Sequence, residues 1–142
     1  MDTASLDKLI RTSRVVVHPG RYAYLQGKGR SLKNHFMIAQ DEDETTVITR
    51  EEHVPRTPHQ KVEKWFALLE VRVSAPFIAK GFLAKITKTI ADEGLNVLVV
   101  STFSKDYILV REEATEQAVA ALRSAGFPIA GKAAAPKKTR RR

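Results

Sequence analysis

Apolar and polar positions in the second half of the chain follow two different periods in turn. Leu69, Val71 and Val73 alternate with Glu70 and Arg72, which predicts a half-buried strand. In the next segment apolar residues repeat at helical spacing, and the pattern predicts a helix between residues 80 and 93 that buries Phe82, Leu83, Ile86 and Ile90. A glycine at position 94 ends this helix.

The same alternation of periods continues to residue 130. The β-branched run Asn96 to Phe103 and the segment Tyr107 to Val110 predict two neighbouring strands joined by a tight turn. Glu112 to Ser124 predicts a second helix, and Phe127 to Ala130 a short edge strand. The order is therefore βαββαβ. We expect the two helices to cover one face of a four-stranded sheet and to leave the other face for a partner.

The first half of the chain has shorter elements. The pattern predicts an amphipathic helix, two short strands and a hairpin, at Ser5–Thr12, Val15–Val17, Arg21–Gln26, and His35–Ala39 with Thr45–Thr49. The following segment contains Pro55 and Pro58 and little apolar surface, so we predict a linker at residues 54–64.

Composition and charge narrow the function classes. The 142 residues contain no cysteine, which excludes disulfides and thiolate chemistry. No segment has the apolar length of a signal peptide or a membrane span, and we expect a soluble cytoplasmic protein. The net charge is +8, but six basic residues lie among the last eleven, and the remaining 18 basic and 16 acidic residues give only +2. The basicity therefore belongs to residues 132–142, which we expect to be a disordered tail.

Motifs for catalysis or metal binding are not evident. No nucleophile is paired with a base, and no two carboxylates have an evident spacing for acid–base work, so we do not expect an enzyme. The acidic turn Asp41 to Glu44 does not have the spacing of a calcium loop. The histidines are scattered without zinc spacing and are expected at the surface: His18, His35, His53 and His59. We predict no metal and no cofactor.

Two motifs of the second half carry a family resemblance. The run Gly81-Phe82-Leu83-Ala84-Lys85-Ile86, followed by Gly94-Leu95-Asn96-Val97, resembles the core signature of ACT domains. Ser101-Thr102-Phe103-Ser104-Lys105-Asp106-Tyr107-Ile108-Leu109-Val110 is similar to a hairpin of the ACT subfamily found in the cytosolic arginine sensors and related small bacterial proteins. Residues 19–24 and the hairpin through Asp41 to Glu44 are similar to the abbreviated first module of such tandem proteins.

The resemblance implies an α+β, ferredoxin-like ACT domain at residues 65–131, packed with an abbreviated N-terminal ACT-like module at residues 1–53. ACT domains are typically regulatory units that bind amino acids or other small molecules where two modules meet. The implied ligand-binding residues are Lys80, Gly81, Phe82, Asn96, Val97 and Asp106. Physical chemistry agrees, because a helix N-terminus offers unpaired N–H groups and partial positive charge to a carboxylate.

Three of these residues also have a purely structural interpretation. Gly81 serves equally well in a tight strand-to-helix turn. Asn96 is able to close a turn by bonding its own backbone, and Asp106 follows a hairpin turn, where aspartate is common.

We therefore expect a non-enzymatic amino-acid sensor or regulatory protein that forms a homo-oligomer, in the first place a dimer. One alternative is an ACT-fold oligomerisation scaffold without ligand. Another is a protein that contacts nucleic acid through residues 132–142 only. We expect no membrane partner.

Overall fold

The computed structural model describes residues 3–27, 34–73 and 79–130. The predicted basic tail, residues 132–142, lies outside these ranges. Two short 3-10 helices occupy Glu51–Arg56 and Glu112–Ala114. The helices and strands of the described residues are α1 (Thr3–Thr12), β1 (Arg14–Val17), β2 (Tyr22–Gly27), β3 (Met37–Gln40), β4 (Thr45–Arg50), β5 (His59–Arg72), α2 (Phe82–Ala91), β6 (Leu98–Ser101), β7 (Asp106–Arg111), α3 (Thr115–Ser124) and β8 (Ile129–Ala130).

The described residues form two compact units whose boundaries differ from the predicted ones. The first unit takes its residues from Met1–Pro19 and Ala67–Arg142, and the second is Gly20–Phe66. The predicted linker at 54–64 is wrong, because this segment contains part of a 3-10 helix and the first residues of β5. Pro55 lies inside the 3-10 helix and Pro58 precedes the strand, so neither interrupts β5.

The first unit contains the predicted βαββαβ order as β5-α2-β6-β7-α3-β8, which is the ferredoxin-like arrangement. Its sheet has five strands in the described residues, in the order β6-β7-β5-β1-β8. The prediction of a four-stranded sheet therefore missed one strand. The fifth strand is β1, which pairs antiparallel with β5 through Val15↔Val71 and parallel with β8 through Val15↔Ile129.

Helical spacing in the sequence explains the core of the first unit. Three helices, rather than the predicted two, contribute to one buried cluster on one face of the sheet. Within this cluster the rings of Phe82 and Phe127 pack edge to face, with their centroids 5.8 Å apart. The helices supply Leu9 and Ile10 from α1, Phe82, Ile86 and Ile90 from α2, and Ala118 and Leu122 from α3.

The opposite face of this sheet is not the free surface that we expected. Leu69 and Val71 belong to the helix-covered cluster, so Leu68 and Glu70 point to the other face of β5. Leu68 and Glu70 are nevertheless only 1% and 5% exposed. The centre of this face, at Leu68 and Glu70, is therefore buried.

The second unit is a smaller antiparallel sheet in the order β3-β4-β2-β5. Ala23, Leu25 and Val47 form its small buried cluster. The turn between β3 and β4 is held by Asp41, whose Oδ1 accepts hydrogen bonds from the Asp43 and Glu44 amides at 2.8 and 2.9 Å. These bonds lower the pKa of Asp41 and make the turn a self-contained, exposed hairpin tip.

Candidate functional site

The first turn of α2 has the backbone geometry that an anion site needs. Gly81 is the N-cap of α2, is exposed, and has a φ of 84°, a left-handed conformation that side chains disfavour. The Phe82 N–H donates to the Ala79 carbonyl oxygen at 3.2 Å. Within the described part of the chain, no backbone acceptor is found for the amides of Leu83 and Ala84.

The other residues near Gly81 differ in exposure. Lys80 is exposed and places a positive charge beside the start of α2. The Phe82 side chain is only 2% exposed and packs on Phe127, so it belongs to the core. A Cβ at position 81 would lie 3.8 Å from Leu6 Cδ2, so α1 lies beside the start of α2.

Gly81 and Asn96 lie at opposite ends of α2. The helix has ten residues and so spans about 15 Å. Asn96 is exposed in the connection that follows α2, and Val97 is half-buried against the helix-covered cluster. One small ligand therefore cannot contact Gly81 and Asn96 of the same unit.

Asp106 lies at the turn end of the β6–β7 hairpin. It pairs across the strands with Ser101, whose hydroxyl donates to Asp106 Oδ1 at 2.7 Å. In the βαββαβ arrangement a strand runs back along the helix that precedes it, so β6 runs from the end of α2 toward its start. Ser101 and Asp106 are therefore toward the Gly81 end of the unit, and Asn96 is at the other end.

A cluster of polar side chains around the buried carboxylate of Glu70 was not predicted. His18 Nε2 lies 2.8 Å from Glu70 Oε1, and Arg72 Nε donates to Glu70 Oε2. Burial alone raises the pKa of Glu70, but the hydrogen bonds and charges of Arg72 and His18 outweigh burial and lower it. The expectation that His18 is a plain surface residue is therefore wrong.

A shallow groove lies between the C-terminal halves of α2 and α3. Its lining is mostly small or polar, and Gln117 Nε2 donates to the Glu93 carbonyl oxygen at 3.3 Å across it. The groove contains none of the six predicted ligand-binding residues. Its lining consists of Thr89, Asp92, Glu93, Gln117, Ala120, Ala121, Ser124 and Ala125.

A three-ligand metal cluster and a membrane-spanning helix are both absent from residues 3–27, 34–73 and 79–130. There, no three side chains of the metal-ligating types come close enough to hold one ion. None of the helices in those ranges combines the length and the apolar character required to cross a membrane.

Comparisons with known proteins identify the second half of the chain. The family profile described as the ACT domain matches residues 61–124. The comparison with curated proteins gives no significant match.

Solved structures are similar over most of the chain. A Vibrio cholerae protein of unknown function, described as a possible transport protein, has 20% identity and a TM-score of 0.73, covering 86% of this chain and 96% of its own. An Agrobacterium tumefaciens protein has 18% identity and a TM-score of 0.71, covering 82% and 91%. The regulatory subunit of aspartate kinase from Thermus flavus has 12% identity and a TM-score of 0.61, covering 78% and 95%.

At these identities the likeness to solved structures concerns the fold. The family match and the βαββαβ topology agree on the same segment of the chain. Residues 61–124 of this chain match the ACT domain profile, and the unit that contains them has the ferredoxin-like fold.

Proposed function

We propose that this chain is a non-catalytic regulatory protein whose ACT domain binds a small carboxylate, in the first place a free amino acid. The observation that carries the proposal is the exposed left-handed Gly81 at the start of α2 inside the ACT domain. Without a Cβ at this position, a ligand is able to approach the backbone closely.

The ligand carboxylate binds at the first turn of α2. The amides of Leu83 and Ala84 are better donors than that of Phe82, which already bonds Ala79. The partial positive charge of the helix N-terminus and the exposed Lys80 favour an anion at this point. The Asp106 carboxylate, toward the same end of the unit, accepts hydrogen bonds from the ligand ammonium group.

Asn96 and Val97 take part through a second module. Because about 15 Å of helix separates Asn96 from Gly81, it acts on a ligand held by another copy. This proposal makes the ligand site dependent on a homo-oligomer, as is typical of regulatory sites between subunits.

The comparisons support a regulatory role in general terms. The matched family is a regulatory domain, and one structurally similar protein is the regulatory subunit of aspartate kinase.

A thermal-shift screen of the free amino acids tests the proposal. A ligand present at a hundred times its dissociation constant stabilises the folded state by about 2.7 kcal/mol. We expect one or a few amino acids to raise the melting temperature of the wild-type chain. The Gly81→Ala variant should lose this shift.

Gly20→Ala is the matched control. Gly20 also has a positive φ, of 81°, but lies before β2 and outside the six predicted ligand-binding residues. The control variant should keep the ligand-induced shift. No shift with any amino acid, confirmed by calorimetry, would refute the sensor function and favour the ligand-free scaffold.

A further inference from the structure

Two arginines face each other across β1 and β5 in the first unit. Arg14 and Arg72 are Cα partners in the antiparallel register of these strands, and both are exposed. Val15 and Val71 belong to the helix-covered cluster, and because side chains alternate along a strand, the two arginines point to the opposite face. Directly opposite residues have Cβ atoms about 4.5–5.5 Å apart. Both guanidinium groups are therefore able to contact the same small molecule.

Glu70 orients the guanidinium group of Arg72. Arg72 Nε donates to Glu70 Oε2, and His18 Nε2 lies 2.8 Å from Glu70 Oε1, so both carboxylate oxygens have partners. Nε–H is only one of the donors of a guanidinium group. Within the described part of the chain, the Nη groups of Arg72 have no hydrogen-bond acceptor. Arg72 is therefore held by one edge and has further donors available.

The charge of Arg14 is not balanced. Its side chain makes no hydrogen bond and no ion pair with any residue in the ranges that the structure describes. Like charges directly opposite each other on neighbouring strands are destabilising. Glu70 supplies a single negative charge to a group that contains two guanidinium groups, so this part of the face keeps a net positive charge.

We propose that Arg14 and Arg72 together bind the phosphate group of a small molecule on the face of the sheet opposite α2. A guanidinium group donates two parallel hydrogen bonds to a pair of oxygen atoms. A carboxylate has one such pair, which a single arginine occupies, whereas a phosphate has a third oxygen and additional negative charge for the second arginine. Inorganic phosphate and a phosphate monoester share this chemistry.

Phosphate titration of the isotopically labelled full-length protein, followed by nuclear magnetic resonance, tests the proposal. Sodium chloride keeps the ionic strength constant, because exposed charges are screened by salt. The Nε–H signals of Arg14 and Arg72 should shift and saturate with inorganic phosphate. Methyl phosphate is the second probe: the same saturable shifts with it would support a monoester as the ligand, and shifts with inorganic phosphate alone would support the free ion.

Variants of the two arginines separate the guanidinium geometry from the charge. Arg14→Gln should weaken phosphate binding about tenfold, because it removes charge-assisted hydrogen bonds. Arg14→Lys and Arg72→Lys keep the charge but not the paired donors, so each should also weaken binding, by a smaller factor. Arg123→Gln removes a charge at an exposed position of α3 and should leave the dissociation constant unchanged. Circular dichroism establishes that each variant is folded.

The absence of saturable shifts at Arg14 and Arg72 would overturn the proposal. Shifts confined to the basic residues 132–142, or to the first turn of α2, would overturn it equally. So would an Arg14→Gln variant that binds phosphate as tightly as the wild-type chain, or an Arg123→Gln variant that loses as much affinity as Arg14→Gln. The titration contains no amino acid, so its outcome is independent of whether one binds at Gly81.

Discussion

Gly81 has a backbone conformation that other residues adopt only at a cost. A side chain in the left-handed region is disfavoured by about 1–2 kcal/mol. The Gly81 site has room for a methyl group, since the nearest atom would be 3.8 Å away. We therefore predict that Gly81→Ala lowers the free energy of unfolding by about 1–2 kcal/mol in urea titrations. Gly94→Ala, with a φ of 79° and open space, should show a similar loss. An unchanged stability for both variants would contradict the backbone geometry.

Glu70 makes stability depend on pH in a definite direction. Its pKa in the folded state is below the ordinary 4.5, so the unfolded state binds the proton first when pH falls. The stabilisation from Glu70 is therefore complete above pH 4.5 and is lost as the pH falls through the lowered folded-state pKa. We predict that Glu70→Gln costs about 1–3 kcal/mol at neutral pH.

The difference between the wild-type chain and Glu70→Gln should narrow as the pH falls below 4.5. Urea unfolding at a series of pH values measures it, with the exposed Glu116→Gln as the control. A difference that stays constant down to low pH would show that the Glu70 charge does not stabilise the fold.

Residue-level prediction from the sequence succeeded where the signal was local. Gly81 lies at the start and Gly94 after the end of the helical repeat. Both have the positive φ that is common for glycine at helix boundaries. Phe82 is part of that repeat, which is why its side chain lies in the core rather than at a ligand. The His18–Glu70 pair joins residues 52 positions apart, and no local pattern indicates such a contact.

Among the helices, α1 contributes buried residues to the core of the first unit, although only α2 and α3 were expected to cover its sheet. Ile10 is 2% exposed, belongs to the same cluster as Phe82, and lies near Gly126. Ile10→Ala should therefore lower the free energy of unfolding by about 2–5 kcal/mol. Lys8→Ala, at an exposed position of the same helix, should change it by less than about 0.5 kcal/mol. Equal, small effects in denaturant titrations would mean that α1 does not contribute to the core.

Element types were predictable, but strand neighbours were not. Helical spacing located α1, α2 and α3, and alternation located β2 and the second half of β5. A period of two does not encode the partner strand, so nothing predicted that β1 lies between β5 and β8. The first half of β5 is predicted as a linker because the segment contains Pro55 and Pro58 and little apolar surface. In the structure Gln60 to Lys64 are all exposed, so burial imposes no alternation on these residues.

For the whole molecule, chain order does not give the boundaries of the units. The unit that contains most of the segment matched by the ACT domain profile uses both β1 and α1 from the start of the chain. The predicted domain at residues 65–131 omits them, and with them the buried Leu9, Ile10 and Val15. We predict that a fragment of residues 65–131 unfolds without a cooperative transition. Cooperative thermal unfolding of that fragment, near the melting temperature of the full chain, would contradict this assignment.

The location of ligand binding is the most direct test of the proposed function. Once the thermal-shift screen has selected an amino acid, its addition to isotopically labelled protein can be followed by the chemical shifts of the backbone amides. The account predicts the largest changes from Gly81 to Ala84 and at Asp106. Changes confined to other regions, such as the groove between α2 and α3, would contradict it, as would an unchanged spectrum.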